Sequence, residues 1–434
     1  EHADAHLPTT TEQWGSYDVA VVGGGIIGLA TAAEVLRRYP KKRVVVLERE
    51  AEVAAHQSGH NSGVIHAGLY YEPGTRMAKC CVEGSKLMYE YAEKKGIKYD
   101  RVGKLICAPT EAGHAMVEKL YARGSQNGVK GLRILTCEQV KELEPNVCVF
   151  SALESPNTGV IDYGDVTRSL AKDVQATGRG CIHLRFQVNA VVAVGEGPDK
   201  VVEVRGVEPG QPGPCKVVRA KNVLTCGGVH MDHLSRIAGG EYWPQVMSFR
   251  GRYYQMKPEH RNIVKRNVYP VPTGGGIPVG VHFTPTIGGY RQQQMIIGPG
   301  ACMAFHKDGY ALSDVSLRYC WEALTNPGFW RFGLSNVKLS LGELWKDANQ
   351  AAFLAEAQQL VPGLTADMVE ESFVGVMAQV FEQDGTSAAD YIFESNRVEG
   401  TTLNLRHAPS PAATSSLALA KEMVDQAAKD FAWK

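Results

Sequence analysis

Gly23, Gly25 and Gly28 stand at G-x-G-x-x-G spacing, and Glu48 follows Gly28 by 20 residues. Glycines so spaced allow a tight turn, a close backbone approach to a pyrophosphate and close helix–strand packing, while the acid accepts from ribose hydroxyls. The chemistry on offer is dinucleotide binding. These residues can act together only where a strand ends and a helix begins between them. Residues 19–22 form a β-branched apolar run of the kind a buried parallel strand shows, and Ala and Leu recur at helical spacing from Ile26 onward. The helix must stop near Arg38 and Pro40, before a second strand, RVVVLE. The resulting β-α-β unit points a helix N-terminus at the phosphates. From this unit alone NAD and FAD both remain open. The loop that follows, residues 49–71 (REAEVAAHQSGHNSGVIHAGLYY), is too polar for a buried strand and too glycine-rich for a stable helix. It can wrap a second phosphate and a flavin, which favours FAD.

Across 434 residues, 46 basic side chains balance 46 acidic ones, so no long-range field recruits nucleic acid or anionic lipid. A small ligand is expected. Ten cysteines include no CxxC pair and no Cys/His cluster at zinc spacing, and Cys80 and Cys81 are adjacent, so free thiols and no metal site are expected. No apolar run approaches the roughly 20 residues a spanning helix needs. The polar opening EHADAHLPTTTEQWGS reads as a tail left after processing. Two later segments, residues 221–234 and 403–428, each run from an apolar strand into a small-residue turn whose amides can meet a ligand at the strand ends. Turns spread from residue 23 to residue 414 imply a nucleotide domain assembled from discontinuous segments.

The N-terminal unit, HQSGHNSGVIHAGLYY, GKLICA, SPNTGVIDY, FRGRYYQM, PVGVHFTPTI and RHAPSPAATSS together resemble the L-2-hydroxyglutarate dehydrogenases, FAD enzymes of the D-amino-acid-oxidase and glycerol-3-phosphate-dehydrogenase superfamily. The resemblance spans residues 17 to 430. It implies FAD-dependent oxidation of L-2-hydroxyglutarate to 2-oxoglutarate, with electrons passed to a quinone or electron-transfer flavoprotein, in mitochondria and peripheral to the inner membrane. By matching position, Gly23, Gly25, Gly28 and Glu48 hold the ADP half, and Ser58, Asn61, Ser62 and Gly63 line the flavin together with Pro409, Ser410, Pro411, Ala412, Ala413 and Thr414. Arg49, Cys226 and Gly227 complete the expected cofactor contacts. The generic superfamily alternative is an FAD-dependent oxidase or dehydrogenase of another small 2-hydroxy or amino acid, and a non-catalytic FAD-binding module is a third.

Oxidising a 2-hydroxy acid requires an acceptor for the alpha hydrogen, a base for the hydroxyl proton and cations for the carboxylates. Histidine needs little adjustment to serve as the base near neutral pH. His66, which closes the flavin loop, and His282, in VGVHFTP, are the candidates. For the carboxylates Arg250 and Arg406 lie in matched segments, Lys104 of GKLICA is a point-charge alternative, and Tyr253 and Tyr254 can hydrogen-bond the substrate. Two positions depart from the family pattern: Met377 stands where an arginine is expected, and His407 where an asparagine is expected.

These residues require an α/β fold with a discontinuous Rossmann-like FAD-binding domain, residues 17–103, 152–230 and 350–434. An α+β substrate domain, residues 104–151 and 231–349, is inserted into it. KLICA, GRYYQM, RNVYPVP, VGVHFTP and QQMIIGP suggest an antiparallel sheet for the second domain. Residues 321–345 (WEALTNPGFWRFGLSNVKLSLGELW) hold three of the six tryptophans beside Arg331, Lys338 and Lys346, the look of an interfacial membrane contact near residues 321–346. A broken helix packed on its own core is the competing reading.

Overall fold

The computed structural model describes residues 7–197, 200–272, 280–289 and 293–434. Its first layer is a sheet whose central strands run parallel in the order Thr402–His407, Cys215–Thr225, Thr11–Val22, Val44–Leu47 and Gly180–His183. An antiparallel pair, Gln187–Val194 and Val201–Val207, pairs onto the first half of Cys215–Thr225, while Thr402–His407 pairs onto its second half. Both faces are covered, which explains the unbroken apolar runs of residues 19–22 and 44–47. On one face, helices Ile26–Arg38, Arg76–Lys95, Tyr163–Ala176 and Ala412–Asp430 bury stripes such as Leu29, Ala32 and Leu36 or Leu419, Met423 and Ala427. On the other face Phe186, Val188, Val204 and Val218 form a separate core.

The opening stretch expected as a tail enters this sheet at Thr11, with Thr11, Glu12 and Gln13 pairing with Cys215, Lys216 and Val217. Backbone hydrogen bonds carry that extension while its side chains stay largely exposed, so no hydrophobic pattern announced it.

The second layer is a nine-stranded sheet in which Gln245–Met256 pairs with three other strands. One of its edges carries Cys302–Met303 and Met295–Gly298, and the other carries Val369–Phe381 along its length. From Met295–Gly298 the order continues through His282–Pro285, Asn267–Pro270, Lys104–Ala108, Ser151–Ser155 and Arg133–Thr136. Every pairing is antiparallel except that of Asn267–Pro270 with Lys104–Ala108. Ser151–Ser155 and Val369–Phe381 thus belong to this sheet, across the boundaries that the sequence reading drew at 152 and 350.

Strand alternation gives this second sheet two unlike faces. Leu105, Val268, Phe283, Ile297, Tyr254 and Met256 point into one apolar core, closed by Phe353, Leu354 and Ala357 of helix Gln350–Ala357. Their neighbours Lys104, Tyr269, His282, Thr284 and Tyr253 therefore lie on the opposite face. That face meets the loop of residues 58–71.

Candidate active site between the two sheets

The site has a nucleotide part and a polar part, joined by one loop. At the C-terminal ends of the parallel strands lies a cleft of about 310 Å³, bordered by Gly23, Gly25, Glu48, Arg49, Ser58 and Cys226. Gly23 has φ +117°, and a Cβ added there would run into the carbonyl of Cys226. At Gly28 an added Cβ would collide with the carbonyl of Gly23. The turn, the helix and the Cys226–Gly227 turn are packed so closely that only hydrogen fits between them.

Helix Ile26–Arg38 starts at Gly25, which offers no capping side chain. Its first amide, Ile26 N, donates to Ser58 Oγ at 2.9 Å, so a flavin-loop residue stands at the positive helix end. The Glu48 carboxylate accepts from Gly24 N at 2.6 Å and from Glu50 N at 2.8 Å. Each oxygen keeps a second lone pair, enough to accept from a ribose hydroxyl. A glycine cradle with no space for a Cβ, a helix start without a side-chain cap and a carboxylate with spare acceptor capacity fit the ADP half of a dinucleotide.

Arg49 lines the cleft but is held from outside it: Nη2 donates to Asp308 Oδ2 at 2.8 Å, and His230 Nε2 meets Asp308 Oδ1 at 2.7 Å. Burial opposes the charge on Asp308, but His230 and Arg49 outweigh it and hold the carboxyl well below the usual range. Asp308, absent from the sequence reading, ties the second layer to the nucleotide loop.

The loop that expectation assigned to the flavin is braced by its own residues. Asn61 Nδ2 donates to the carbonyls of Gln57 and Ser58, and Asn61 Oδ1 accepts from Gly63 N at 2.9 Å. Asn61 therefore shapes the loop with its whole amide. Gly63, at φ +76°, leaves no room for a Cβ against the carbonyl of Ile161. Further on, His66 N donates to Thr414 Oγ1 at 3.1 Å, and the Thr414 hydroxyl also meets Val64 O and Tyr163 Oη. The segment from Pro409 to Thr414 is thereby placed beside the loop, at the start of helix Ala412–Asp430, which has no side-chain cap.

Across the loop lies the polar face of the second sheet. Lys104 is 1% exposed, its Nζ has no hydrogen-bond partner among the described residues, and it stands 3.3 Å from the Tyr269 ring centroid and 4.8 Å from that of Tyr70. The Tyr269 ring stacks on His282 at 3.8 Å, and its hydroxyl faces Thr284 and Ser62. His282 Nδ1 lies 2.9 Å from Gly280 O. A carbonyl only accepts, so Nδ1 carries the proton and Nε2 presents a lone pair, buried and without a partner among the described residues. Burial pushes His282 down to about 3, partly offset by the Gly280 bond and reinforced by Lys104. Burial, then Lys104, then His282 hold His66 well below the ordinary histidine range. Lys104 itself is held well below the lysine range by burial.

The expected site residues thus divide. His66, His282, Lys104, Tyr253 and Ser62 converge on one polar face, with the Tyr253 ring stacked on Phe373 at 4.5 Å. Tyr254, one residue out of phase, faces the apolar core and packs 4.9 Å from Phe353. Arg250 is buried in an ion pair with Asp347 at 2.6 Å, and Nη2 reaches the carbonyl of Tyr310. Arg406 is fixed by Glu394 and the carbonyl of Pro244, each at 3.0 Å. Both arginines have their charges engaged by the fold, which is why they do not join the cluster. Met377 pairs with Phe249 and packs with Met247, Phe249 and Phe381. His407 is fully buried, with Nδ1 2.9 Å from Asp390 O. Tyr269 and Thr284 were missed; the phase of the Val268 and Phe283 alternation was the signal for them.

Comparison with known proteins bears on this arrangement. The sequence model of the FAD dependent oxidoreductase family matches residues 18–426. The mitochondrial L-2-hydroxyglutarate dehydrogenase of Dictyostelium discoideum is 39% identical over 420 residues, covering 96% of this chain and 93% of that protein. The Homo sapiens protein of the same name is 36% identical over 425 residues, covering 96% and 89%. Among solved structures, the dithionite-reduced L-alpha-glycerophosphate oxidase from Mycoplasma pneumoniae with FAD bound superposes with a TM-score of 0.73 at 24% identity, covering 96% of this chain and 95% of that one. Glycine oxidase from Geobacillus kaustophilus gives 0.67 at 18% identity, covering 95% of each chain.

Proposed function

We propose a mechanism from one premise: the chain belongs to the FAD-dependent oxidoreductase family and, within it, to the L-2-hydroxyglutarate dehydrogenases. It binds FAD and oxidises L-2-hydroxyglutarate to 2-oxoglutarate. FAD, when bound, supplies the two-electron acceptor. Gly23, Gly25 and Gly28 would admit the pyrophosphate, Glu48 would accept from the ribose, and Ser58, Ser62, Gly63 and the 409–414 turn would hold the remainder. Arg49, Cys226 and Gly227 border the same cleft.

The protein groups that act on the substrate are those of the polar face. His282 Nε2, a lone pair fixed by the Nδ1–Gly280 bond, takes the hydroxyl proton of the 2-hydroxy acid; His66 is the second candidate for that role. A substrate carboxylate beside Lys104 offsets the lowering that a charged Lys104 imposes on both imidazoles, because a nearby anion favours their cationic forms. Tyr253 lies on the same face and orients the substrate. The observation that carries this reading is the pair of buried nitrogens without a partner among the described residues, Lys104 Nζ and His282 Nε2, on opposite sides of one tyrosine ring. Mixing the holoenzyme anaerobically with L-2-hydroxyglutarate should bleach the flavin rapidly, and the D isomer should leave it oxidised. Bleaching by neither isomer, with FAD bound, overturns the reading; peroxide formed stoichiometrically in air would move it to an oxidase.

The same proposal extends to the acceptor and to location. Helices Leu317–Leu324, Pro327–Ser335 and Val337–Ala348 turn Phe329 and Phe332 inward against Phe381. Leu317, Trp321, Leu334, Leu341 and Trp345 are each more than 60% exposed. Single exposed apolar residues are ordinary, but this many on three successive helices form a patch of the kind that meets a membrane surface. Among the described residues no helix is long and apolar enough to cross a membrane, so the contact is peripheral. The basic flank is weaker than its sequence suggests: Lys346 is engaged by Glu343 and Glu356, and Arg331 donates to Gln383 O. This supports a mitochondrial enzyme peripheral to the inner membrane that passes electrons to a quinone there, with an electron-transfer flavoprotein as the alternative acceptor. Flotation with vesicles, lost in Trp321→Ser/Leu334→Ser/Trp345→Ser, tests the contact; turnover with a short-chain quinone but not with the flavoprotein tests the acceptor.

A further inference from the structure

A buried ammonium normally has a carboxylate or carbonyl against it. Lys104 Nζ has neither: among the described residues it forms no ion pair and no hydrogen bond, and aromatic faces are what it meets. The titratable groups around it come from every neighbouring element. Tyr70 and His66 approach from the loop and Cys81 from helix Arg76–Lys95, while Tyr269 lies on the adjoining strand and His282 on the strand beyond it. None of these is an anion at neutral pH. Two of them, His66 and His282, would repel a charged Lys104 if protonated. Burial accordingly favours the neutral amine. Tyr269 adds the second element. Lys104 Nζ stands over its ring at 3.3 Å and His282 stacks on it at 3.8 Å. The two close contacts must occupy opposite faces, because one face has no room for both. A π face favours a cation once one forms, so the ring prepares a place for an ammonium that only an incoming anion completes.

We propose that Lys104 receives a substrate carboxylate and a proton together, with Tyr269 as the positioning residue that holds Lys104 and His282 on its two faces. This rests on the reading of the polar face as the substrate site. The free enzyme keeps this pocket uncharged. Solvent supplies the proton to the Nζ lone pair as the carboxylate arrives, and the pair leaves together when the product dissociates. Binding of one dicarboxylate is then linked to uptake of close to one proton, so affinity falls about tenfold for each pH unit above neutrality. An arginine or an already charged lysine at this place would bind without such a slope.

The test uses the holoenzyme and 2-oxoglutarate, with binding followed by the flavin difference spectrum and by calorimetry at about pH 8 in buffers of different ionisation enthalpy. The expected result is uptake of about one proton per site. Lys104→Met should bind at least about tenfold more weakly, with no uptake and no pH slope. Tyr269→Phe should keep the uptake and Tyr269→Leu should lose it, at unchanged FAD content. A wild-type flavin perturbation unaccompanied by proton uptake between about pH 6 and 9 overturns the proposal while the functional reading stands. Undiminished uptake in Lys104→Met moves the proton to a histidine and also overturns it. If 2-oxoglutarate perturbs nothing and L-2-hydroxyglutarate leaves the flavin oxidised, the functional reading falls first.

Discussion

Arg250 offers a clean separation between structural and substrate roles. Arg250 Nη1 and Asp347 Oδ2 lie 2.6 Å apart, with side chains 3% and 4% exposed. Replacing Arg250 by Met leaves the Asp347 carboxylate buried without its counter-charge. Breaking a buried pair from one side costs about 3–5 kcal/mol, whereas replacing both partners by apolar groups of similar volume is often neutral. The unfolding entropy is about 2.1 cal/mol/K per residue, so that loss lowers the apparent melting temperature of this chain by about 3–5 °C. Arg250→Met should therefore melt lower, and Arg250→Met/Asp347→Leu should recover most of the loss. In the FAD-loaded double variant the KM for L-2-hydroxyglutarate should stay within about threefold of wild type, since no substrate contact has been removed. Melting followed by circular dichroism, with steady-state kinetics beside it, reads both quantities. An unchanged melting temperature in Arg250→Met together with a KM raised about a hundredfold would refute the argument: Arg250 would then leave Asp347 to hold a carboxylate, a charge-assisted contact of that size.

Two further outcomes follow from the site. Gly28→Ala forces a methyl group into the Gly23 carbonyl, so the protein should purify with at least about tenfold less FAD and melt lower, read from the flavin-to-protein absorbance ratio; full FAD occupancy would mean that the turn is not the phosphate cradle. His282→Gln should keep FAD but slow anaerobic flavin reduction by about 10²–10⁴-fold, the scale of a lost general base, and an unchanged rate would pass that role to His66. The same variant has a pH signature. Folding lowers the affinity of His282 for a proton, to a value of about 3, so between about pH 6.5 and 3 the unfolded chain binds more protons and stability falls as pH falls, by up to about 1.4 kcal/mol per pH unit for this group. His282→Gln should flatten that slope.

The nucleotide half was legible because its rules are local. Glycines 23, 25 and 28 and Glu48 are set by one strand, one turn and one helix, all within a short stretch of chain. The polar half depends on phase and pairing, which local pattern does not reveal. Tyr253 and Tyr254 are adjacent and equally aromatic, yet strand alternation sends one to the polar face and the other to Phe353. Arg250 looked available because its partner, Asp347, lies 97 positions away, just beyond the aromatic segment, where nothing local points back to Arg250. Arg406 misled in the same way through Glu394 and the Pro244 carbonyl. Residues 369–381 show no clean alternation of burial, so their place beside Gln245–Met256 emerged only from the pairing. The aromatic segment was readable as a membrane contact or as a broken helix packed on its own core, but which aromatics face outward depended on Phe381.

Met377 bears on how one site binds two carboxylates. With Arg250 and Arg406 locked in ion pairs, Lys104 is the cation that the described residues bring to the polar face. Restoring an arginine at position 377 would supply a second only if that side chain could reach the substrate. The local packing argues that it cannot: Met377 lies against Met247, Phe249 and Phe381, beside Phe329 and Phe332. A guanidinium there must either lose hydration among aromatic rings or extend past them to solvent. Met377→Arg should therefore cost about 1–3 kcal/mol, the scale of a large polar group forced into a partly buried apolar site, and leave the KM for L-2-hydroxyglutarate no lower than before. If instead that KM fell about tenfold while the KM for a monocarboxylate such as lactate did not move, the arginine would have found the distal carboxylate. The aromatic cluster would then be soft enough to yield to it, and position 377 would belong to the substrate site after all.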